Sequence, residues 1–172
     1  FAGLEATIAM WAERQFSWGP REVGRLFAYV GTVAVVVQGG LIGPVTRRWG
    51  EERVVVFGLC GLVIGFAIMP IAQNLWILLG ATALLAGGFG LCNPALNSLI
   101  SRRASSESQG AALGVAQSGA SLARILGPAF AGVVFATLGR HAPYVIGAVL
   151  LLFAVFIAWR LVRPPGSTAS ET

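Results

Sequence analysis

Two ionisable side chains stand inside apolar stretches: Glu5 and Arg124. At the centre of a membrane span such a group costs about 2.5 to 3.5 kcal/mol on insertion scales, which makes each a candidate for chemistry. Glu5 lies 11 to 13 residues before Phe16 and Trp18, and at about 1.5 Å of rise per residue that is roughly 17 to 20 Å along a helix. A carboxyl at that depth can load and release a proton as its surroundings change from wet to dry, so Glu5 is the expected proton-coupling group. The competing reading makes it a structural hydrogen-bond partner, or places it nearer an interface. Arg124 sits at similar depth, three residues before Gly127-Pro128, where a missing backbone N–H loosens the helix. It can attract an anionic substrate group or pair with a carboxylate, and a purely structural arginine is the favoured alternative. A Glu5–Arg124 pair would keep the acid ionised and make it a poorer proton carrier.

A softer set surrounds these two. Gln38, Asn93, Asn97 and Gln117, with Ser118, are amides and a hydroxyl at mid-helix positions, able to hydrogen-bond a substrate. For any single one, interhelical glue worth about 1 kcal/mol or less is the favoured role. Asn93 is best placed for a cavity because it precedes Pro94. Trp11 and Tyr29 are expected to wall such a cavity for a greasy ligand, with a lipid-facing position as the equal alternative, while Met10 and Phe89 are expected against lipid or core.

Hydrolytic chemistry has no footing. A nucleophile needs a basic histidine beside it, and the one histidine, His141, sits next to Arg140 in a chain without aspartate. Ligand spacing for a metal is absent, and so is a phosphate-cradling GxxxxGK[ST] loop in a chain without lysine. Cys60 and Cys92 lie within apolar runs and read as small buried hydrophobes. No cofactor, metal or nucleic acid is expected: the 12 arginines against seven glutamates are scattered between uncharged runs and form no stripe.

The elements that must position these residues follow from composition. Of 172 residues, 56% are hydrophobic and only 11% charged, and the mean hydropathy is +0.77, far too little charge to cover a soluble domain. Residues 26 to 46, 54 to 101 and, with His141 neutral, 141 to 159 carry no charge. A spanning helix needs about 20 apolar residues, so the middle run holds two, turning at residues 69 to 74. The chain is therefore expected to be all-α and polytopic, with six transmembrane helices over residues 1–18, 22–46, 53–72, 75–101, 109–138 and 142–162. Residues 1–163 form the membrane domain, its first helix truncated, and the polar residues 164–172 a disordered cytoplasmic tail. No cleavable signal peptide is recognisable at Phe1.

Seven arginines (47, 48, 53, 102, 103, 160 and 163) fall on one side and four (14, 21, 25 and 140) on the other. The arginine-rich side is read as cytoplasmic, which places the carboxyl terminus there too. Trp18, Trp76 and Tyr144 then mark the outer interface, and Trp49 and Trp159 the inner one. The GxxxG spacings Gly39–Gly43, Gly61–Gly65 and Gly110–Gly114 predict close helix contacts. Gly31 and Gly43-Pro44 in the second helix are echoed by Gly114 and Gly127-Pro128 in the fifth, as in a 3+3 repeat.

The stretch GPVTRRWGEER, residues 43 to 53, is similar to the loop motif G-x-x-x-D-R-x-G-R-R of the major facilitator superfamily, through Gly43, Arg47, Arg48, Gly50 and Arg53. Its Gly43-Pro44 is expected to end the second helix. Gly88 to Pro94 with Asn97-Ser98, and Gln109-Gly110 through Ser121 to Pro128, resemble the fourth and fifth helices of that family's carboxyl-terminal half. The nearest resemblance is to drug:proton antiporters of the tetracycline-efflux type. It implies half of a twelve-helix secondary transporter in the cell membrane, lacking its amino-terminal six helices, and exporting small amphipathic molecules against protons by alternating access. A sugar or organic-anion carrier is the alternative, and a non-transporting membrane scaffold the alternative of another class. The motif is also altered: Arg47 replaces its acid, and Glu51 and Glu52 replace basic residues. That swap either reverses the partner of a cytoplasmic latch or removes the latch.

Overall fold

In the computed structural model, which describes residues 1–105 and 107–162, each apolar run is a helix. In a bilayer a backbone satisfies all its polar groups only in helices or closed β-barrels, and continuous apolar runs of this length, without the alternation of barrel strands, fold as helices. The order is α1 (Ala2–Phe16), α2 (Pro20–Trp49), α3 (Glu51–Ile71), α4 (Leu75–Arg103), α5 (Gln109–Leu138) and α6 (Ala142–Val162). Five of them, α2 to α6, are long and apolar enough to cross a membrane, while α1 spans 15 residues. Residues 164–172, expected to be a disordered tail, lie outside the described residues.

Local chemistry sets the ends. Pro20 opens α2 with its φ already helical, and the Glu22 carboxylate accepts the Gly19 N–H at 3.0 Å. The α3–α4 connection falls where the sequence placed it: a 3₁₀ turn, Met69–Ile71, closes α3, and the Asn74 side chain caps α4 by accepting from Ile77 N–H at 2.9 Å. Gly50 links α2 to α3 at φ 80°, ψ 155°, a region essentially open only to glycine.

Gly43-Pro44 does not end α2. A π-helical turn, Val37–Leu41, precedes it, and Ile42–Trp49 carries the helix on. Proline lacks the N–H that would bond four residues back, and the widened turn absorbs the disruption while the rod continues. Pro94 and Pro128 likewise lie inside α4 and α5 without ending them.

α3 occupies the centre, packed most extensively on α4 and next on α6, while α1 rests on α5 and α2 on α4. Glycines permit the closest approach. A Cβ at Gly58 would stand 2.8 Å from the Gly88 carbonyl oxygen, one at Gly65 2.7 Å from Leu85, and one at Gly61 3.6 Å from Gly88 Cα. Of the three GxxxG pairs, Gly61–Gly65 therefore makes the contact it predicts. Gly39, Gly110 and Gly114 have no neighbour within 4 Å, and Gly43 meets only the end of its own Arg47. On α1, Gly3 packs against Gly127 and Ala131 of α5. Trp11, Tyr144, Met69, Leu78 and Leu85 form the core between these helices. About two fifths of the apolar windows of α3 and α4 are buried (39% and 44%), against 11% for α2, 17% for α5 and 11% for α6. The last three thus present broad apolar faces outward.

Candidate functional site: a cavity between three helices

Glu5 on α1, Asn93 on α4 and Arg124 on α5 line one cavity of about 570 Å³. Phe89, one turn before Asn93, Ala120, one turn before Arg124, and Ala123, next to Arg124 in sequence, are among its apolar walls. The helical period of 3.6 residues places each polar group beside its apolar neighbour on the same face. Pro128 leaves the backbone carbonyl of Arg124, four residues earlier, without an intrahelical donor, so polarity is concentrated on this part of α5. Chemically the cavity offers a carboxyl that can exchange a proton, a guanidinium with five N–H donors, and an amide that donates and accepts. Glu5 and Arg124 do not pair. Among the described residues the ion pairs are Arg102–Glu51 and Arg103–Glu52, and neither Glu5, Asn93 nor Arg124 makes a side-chain hydrogen bond.

Other expected members fall elsewhere. Trp11 is fully buried, edge-on to Tyr144 at 6.0 Å and to Phe16 at 5.8 Å, so it is core and not cavity wall. Its rotation follows from α1 packing on α5, which turns Glu5 toward the cavity and Trp11 away. Tyr29 is half-buried and its hydroxyl donates to the Leu79 carbonyl at 3.3 Å, tying α2 to α4. Tyr144, expected at the outer interface, is also fully buried; its hydroxyl lies 3.4 Å from Thr7 Oγ1, which donates to the Gly3 carbonyl at 2.9 Å. Gln38, Asn97 and Gln117 are exposed and do not line the cavity. Asn97 is one turn beyond Asn93 and Gln117 two turns before Arg124, so they extend the same helix faces. Met10 is exposed, as expected of a lipid-facing residue, and Phe89 packs half-buried against the core as expected while also lining the cavity, stacked on Phe1 with ring centroids 4.2 Å apart. Its place one turn from Asn93 was the available signal.

The loop motif builds a second feature. Glu51 and Glu52 open α3, where carboxylates suit the positive helix end, and Arg102 and Arg103 close the antiparallel α4, where cations suit the negative end. Glu51 Oε1 accepts from Ser98 Oγ at 2.6 Å and lies 3.2 Å from Arg102; Glu52 Oε1 lies 2.6 Å from Arg103. The two acids at the motif's basic positions thus form a clasp within this chain. Arg47, Arg48 and Arg53 are exposed and join no ion pair with a described residue, and Trp49 leans on Phe57 at 4.9 Å. Adjacent acids opening one helix and adjacent arginines closing the next were legible in the sequence as a pair that a short antiparallel turn brings together.

A bundle of apolar helices that brings a few exposed polar groups to one open cavity defines a polytopic membrane protein of the transporter class. The chain belongs to the Major Facilitator Superfamily, which matches residues 1–172. It is 34% identical over 171 residues to a tetracycline resistance protein, class G, of Vibrio anguillarum, covering 96% of this chain and 42% of that protein. It is 28% identical over 152 residues to Multidrug resistance protein 2 of Bacillus subtilis, covering 88% of this chain and 37% of the relative. Among solved structures, the human organic anion transporter MFSD10 (TETRAN) superposes with a TM-score of 0.82 at 25% identity, over 91% of this chain and 37% of that one. The chain therefore spans about two fifths of the length of these relatives. A family of transporters accords with the expectation that the chain is not an enzyme.

Proposed function

We propose that this chain is the carboxyl-terminal six-helix half of a twelve-helix, proton-coupled exporter of small amphipathic molecules. The observation that carries the reading is the convergence of Glu5, Asn93 and Arg124 on one cavity from three helices. Alternating access needs a site that two halves can open to either side, and a cavity at the meeting of α1, α4 and α5 meets that need. Glu5 is the proton carrier: its carboxyl lines the cavity and forms no ion pair with Arg124. Arg124 and Asn93 contact substrate, and Asn97, Gln117 and Gln38 extend the polar track. Relatives named for tetracycline and multidrug resistance support the export of drug-like molecules.

The partner is the amino-terminal half. Gly24, Gly31, Gly39 and Gly40 of α2, and Gly110, Gly114 and Gly119 of α5, have open space where a Cβ would stand. Faces of small residues let a second set of helices approach closely, and lipid covers the remaining apolar surface. The cell membrane is the location, with Arg47, Arg48, Arg53, Arg102 and Arg103 on the cytoplasmic side and the carboxyl terminus there as well.

The test is pH-gradient-driven export by the full-length protein in proteoliposomes. Glu5→Gln is expected to abolish dependence on the proton gradient while exchange of substrate down its own gradient persists. Export that stays fully coupled in the variant removes Glu5 from the mechanism. A second reading, an organic-anion carrier, is favoured by Arg124 in the cavity and by the superposition on the organic anion transporter. It predicts that Arg124→Gln, and not Glu5→Gln, eliminates transport.

A further inference from the structure

We propose that the outward face of α3 is a docking surface for an anionic glycerophospholipid, with Arg53 holding the phosphate and Phe57 and Ile64 an acyl chain. A helix advances about 100° per residue, which puts Arg53, Phe57 and Ile64 within about 40° of one another, in one line down α3. All three are exposed, the two apolar side chains by half of their surface or more. The buried residues Val54, Leu62 and Gly65 lie on the opposite side of the helix, so the packing of α3 on α4 and α6 leaves the line uncovered. Faces that meet another helix closely carry small residues, as the open glycines of α2 and α5 do. A phenylalanine and an isoleucine under an arginine suit a lipid instead.

The charge at the head of this line has no partner among the described residues. Glu51 is engaged by Ser98 and Arg102, and Glu52 by Arg103, so both acids beside Arg53 are neutralised elsewhere. A guanidinium presents a fork of N–H donors that matches phosphate oxygens. Trp49 flanks the site: it is exposed, leans on Phe57 with ring centroids 4.9 Å apart, and has an indole N–H that no described residue accepts. A tryptophan so placed suits the ester level of a membrane interface. The 11 residues from Arg53 to Ile64 make about 17 Å of helix, a little over half of a hydrocarbon core about 30 Å thick. One acyl chain of one leaflet therefore reaches from the arginine to the isoleucine. Arg47 and Arg48, exposed at the end of α2, add to the positive charge beside Arg53. Such a basic end attracts lipids of net negative charge, whereas a zwitterionic lipid brings its ammonium against the arginines.

Quenching of Trp49 fluorescence by lipids brominated in the acyl chain tests this on the full-length protein in phosphatidylethanolamine bilayers. The difference between a protein with Trp49 and its Trp49→Phe counterpart isolates that signal from the other tryptophans, and equal thermal midpoints confirm that each variant is folded. Brominated phosphatidylglycerol is expected to quench the Trp49 signal with an apparent affinity about fivefold above that of brominated phosphatidylethanolamine, the preference expected of one arginine at an anionic headgroup. Arg53→Gln should bring the ratio close to one, and Arg53→Lys should keep most of it. Arg160→Gln removes an equal charge from α6, where the guanidinium already rests 4.5 Å from the Phe156 ring, and should leave the ratio unchanged. Equal quenching by the two lipids overturns the proposal. So does an equal loss in Arg53→Gln and Arg160→Gln, which would make the preference a property of the surface charge as a whole. Full reversal by soluble glycerol phosphate would make the ligand a free phosphate compound, and a Trp49 signal that neither lipid quenches would place this face against protein; either result overturns it too.

Discussion

Trp11 and Glu5 lie six residues apart on α1 and have opposite fates: the indole is fully buried and the carboxyl faces the cavity. Truncating a buried tryptophan costs about 3 to 5 kcal/mol, so Trp11→Ala should lower the thermal midpoint of the detergent-solubilised protein sharply. Substrate preference in the folded fraction should be unchanged, whereas a cavity-wall role would alter it. At the other end of the bundle Arg140 reaches across to α1, donating from Nη1 to the Arg14 carbonyl at 3.0 Å and from Nε to His141 Nε2 at 3.1 Å. Partial burial first, and the Arg140 charge second, lower the His141 pKa from its ordinary value of 6.5. A base whose folded pKa lies below its unfolded value binds more protons when unfolded, so stability is full above about pH 6.5 and declines as pH falls toward the lowered value. Thermal midpoints measured from pH 7.5 to 5 should decline below the histidine range, and His141→Gln should flatten the decline.

Helix contacts divide the glycines into two groups. Gly58, Gly65 and Gly88 between α3 and α4 leave no room for a side chain: Gly58→Ala would drive a methyl to 2.8 Å from the Gly88 carbonyl oxygen and 3.0 Å from Cys92. Overpacking of this kind costs typically about 1 to 3 kcal/mol. Gly114→Leu on α5 meets open space in this chain and should leave its folding intact, yet in the full-length protein it should block the approach of the other half and reduce transport. Thermal stability and gradient-driven flux, measured on both variants, distinguish the two kinds of site. The clasp belongs to the same scale. Glu51 has a side chain only 10% exposed and accepts from Ser98, whereas Glu52 is 42% exposed. Exposed ion pairs contribute about 0 to 1 kcal/mol, so Glu51→Ala should destabilise more than Glu52→Ala. Exchanging charges in the double variant Glu51→Arg, Arg102→Glu should recover part of the loss.

For the molecule as a whole, the apolar runs were long enough, and the arginines sparse enough, that every helix was legible within a few residues of its observed span. So was the α3–α4 turn, because a proline and an asparagine cap leave a local signature. Glu5, Asn93 and Arg124 were legible as candidates because polar groups are rare in apolar runs. Trp11, Tyr29 and Tyr144 were not correctly placed, since an aromatic ring with one polar atom suits a core, an interface and a cavity wall equally well. The continuation of α2 through Gly43-Pro44 has no signature in the residue types, because a π turn depends on how the helix relaxes around proline.

Residue types alone therefore determined that the chain is a membrane bundle, where its helices begin and end, and which few groups can do chemistry. Tertiary structure decided which of those groups meet. Helices that are apolar on every side carry little 3.6-residue contrast to orient them about their own axes. Their rotation is chosen by steric fit, as where Gly58 and Gly88 let α3 and α4 touch and where Gly3 seats α1 on α5. That fit turns Glu5 and Arg124 into one cavity and Trp11 into the core.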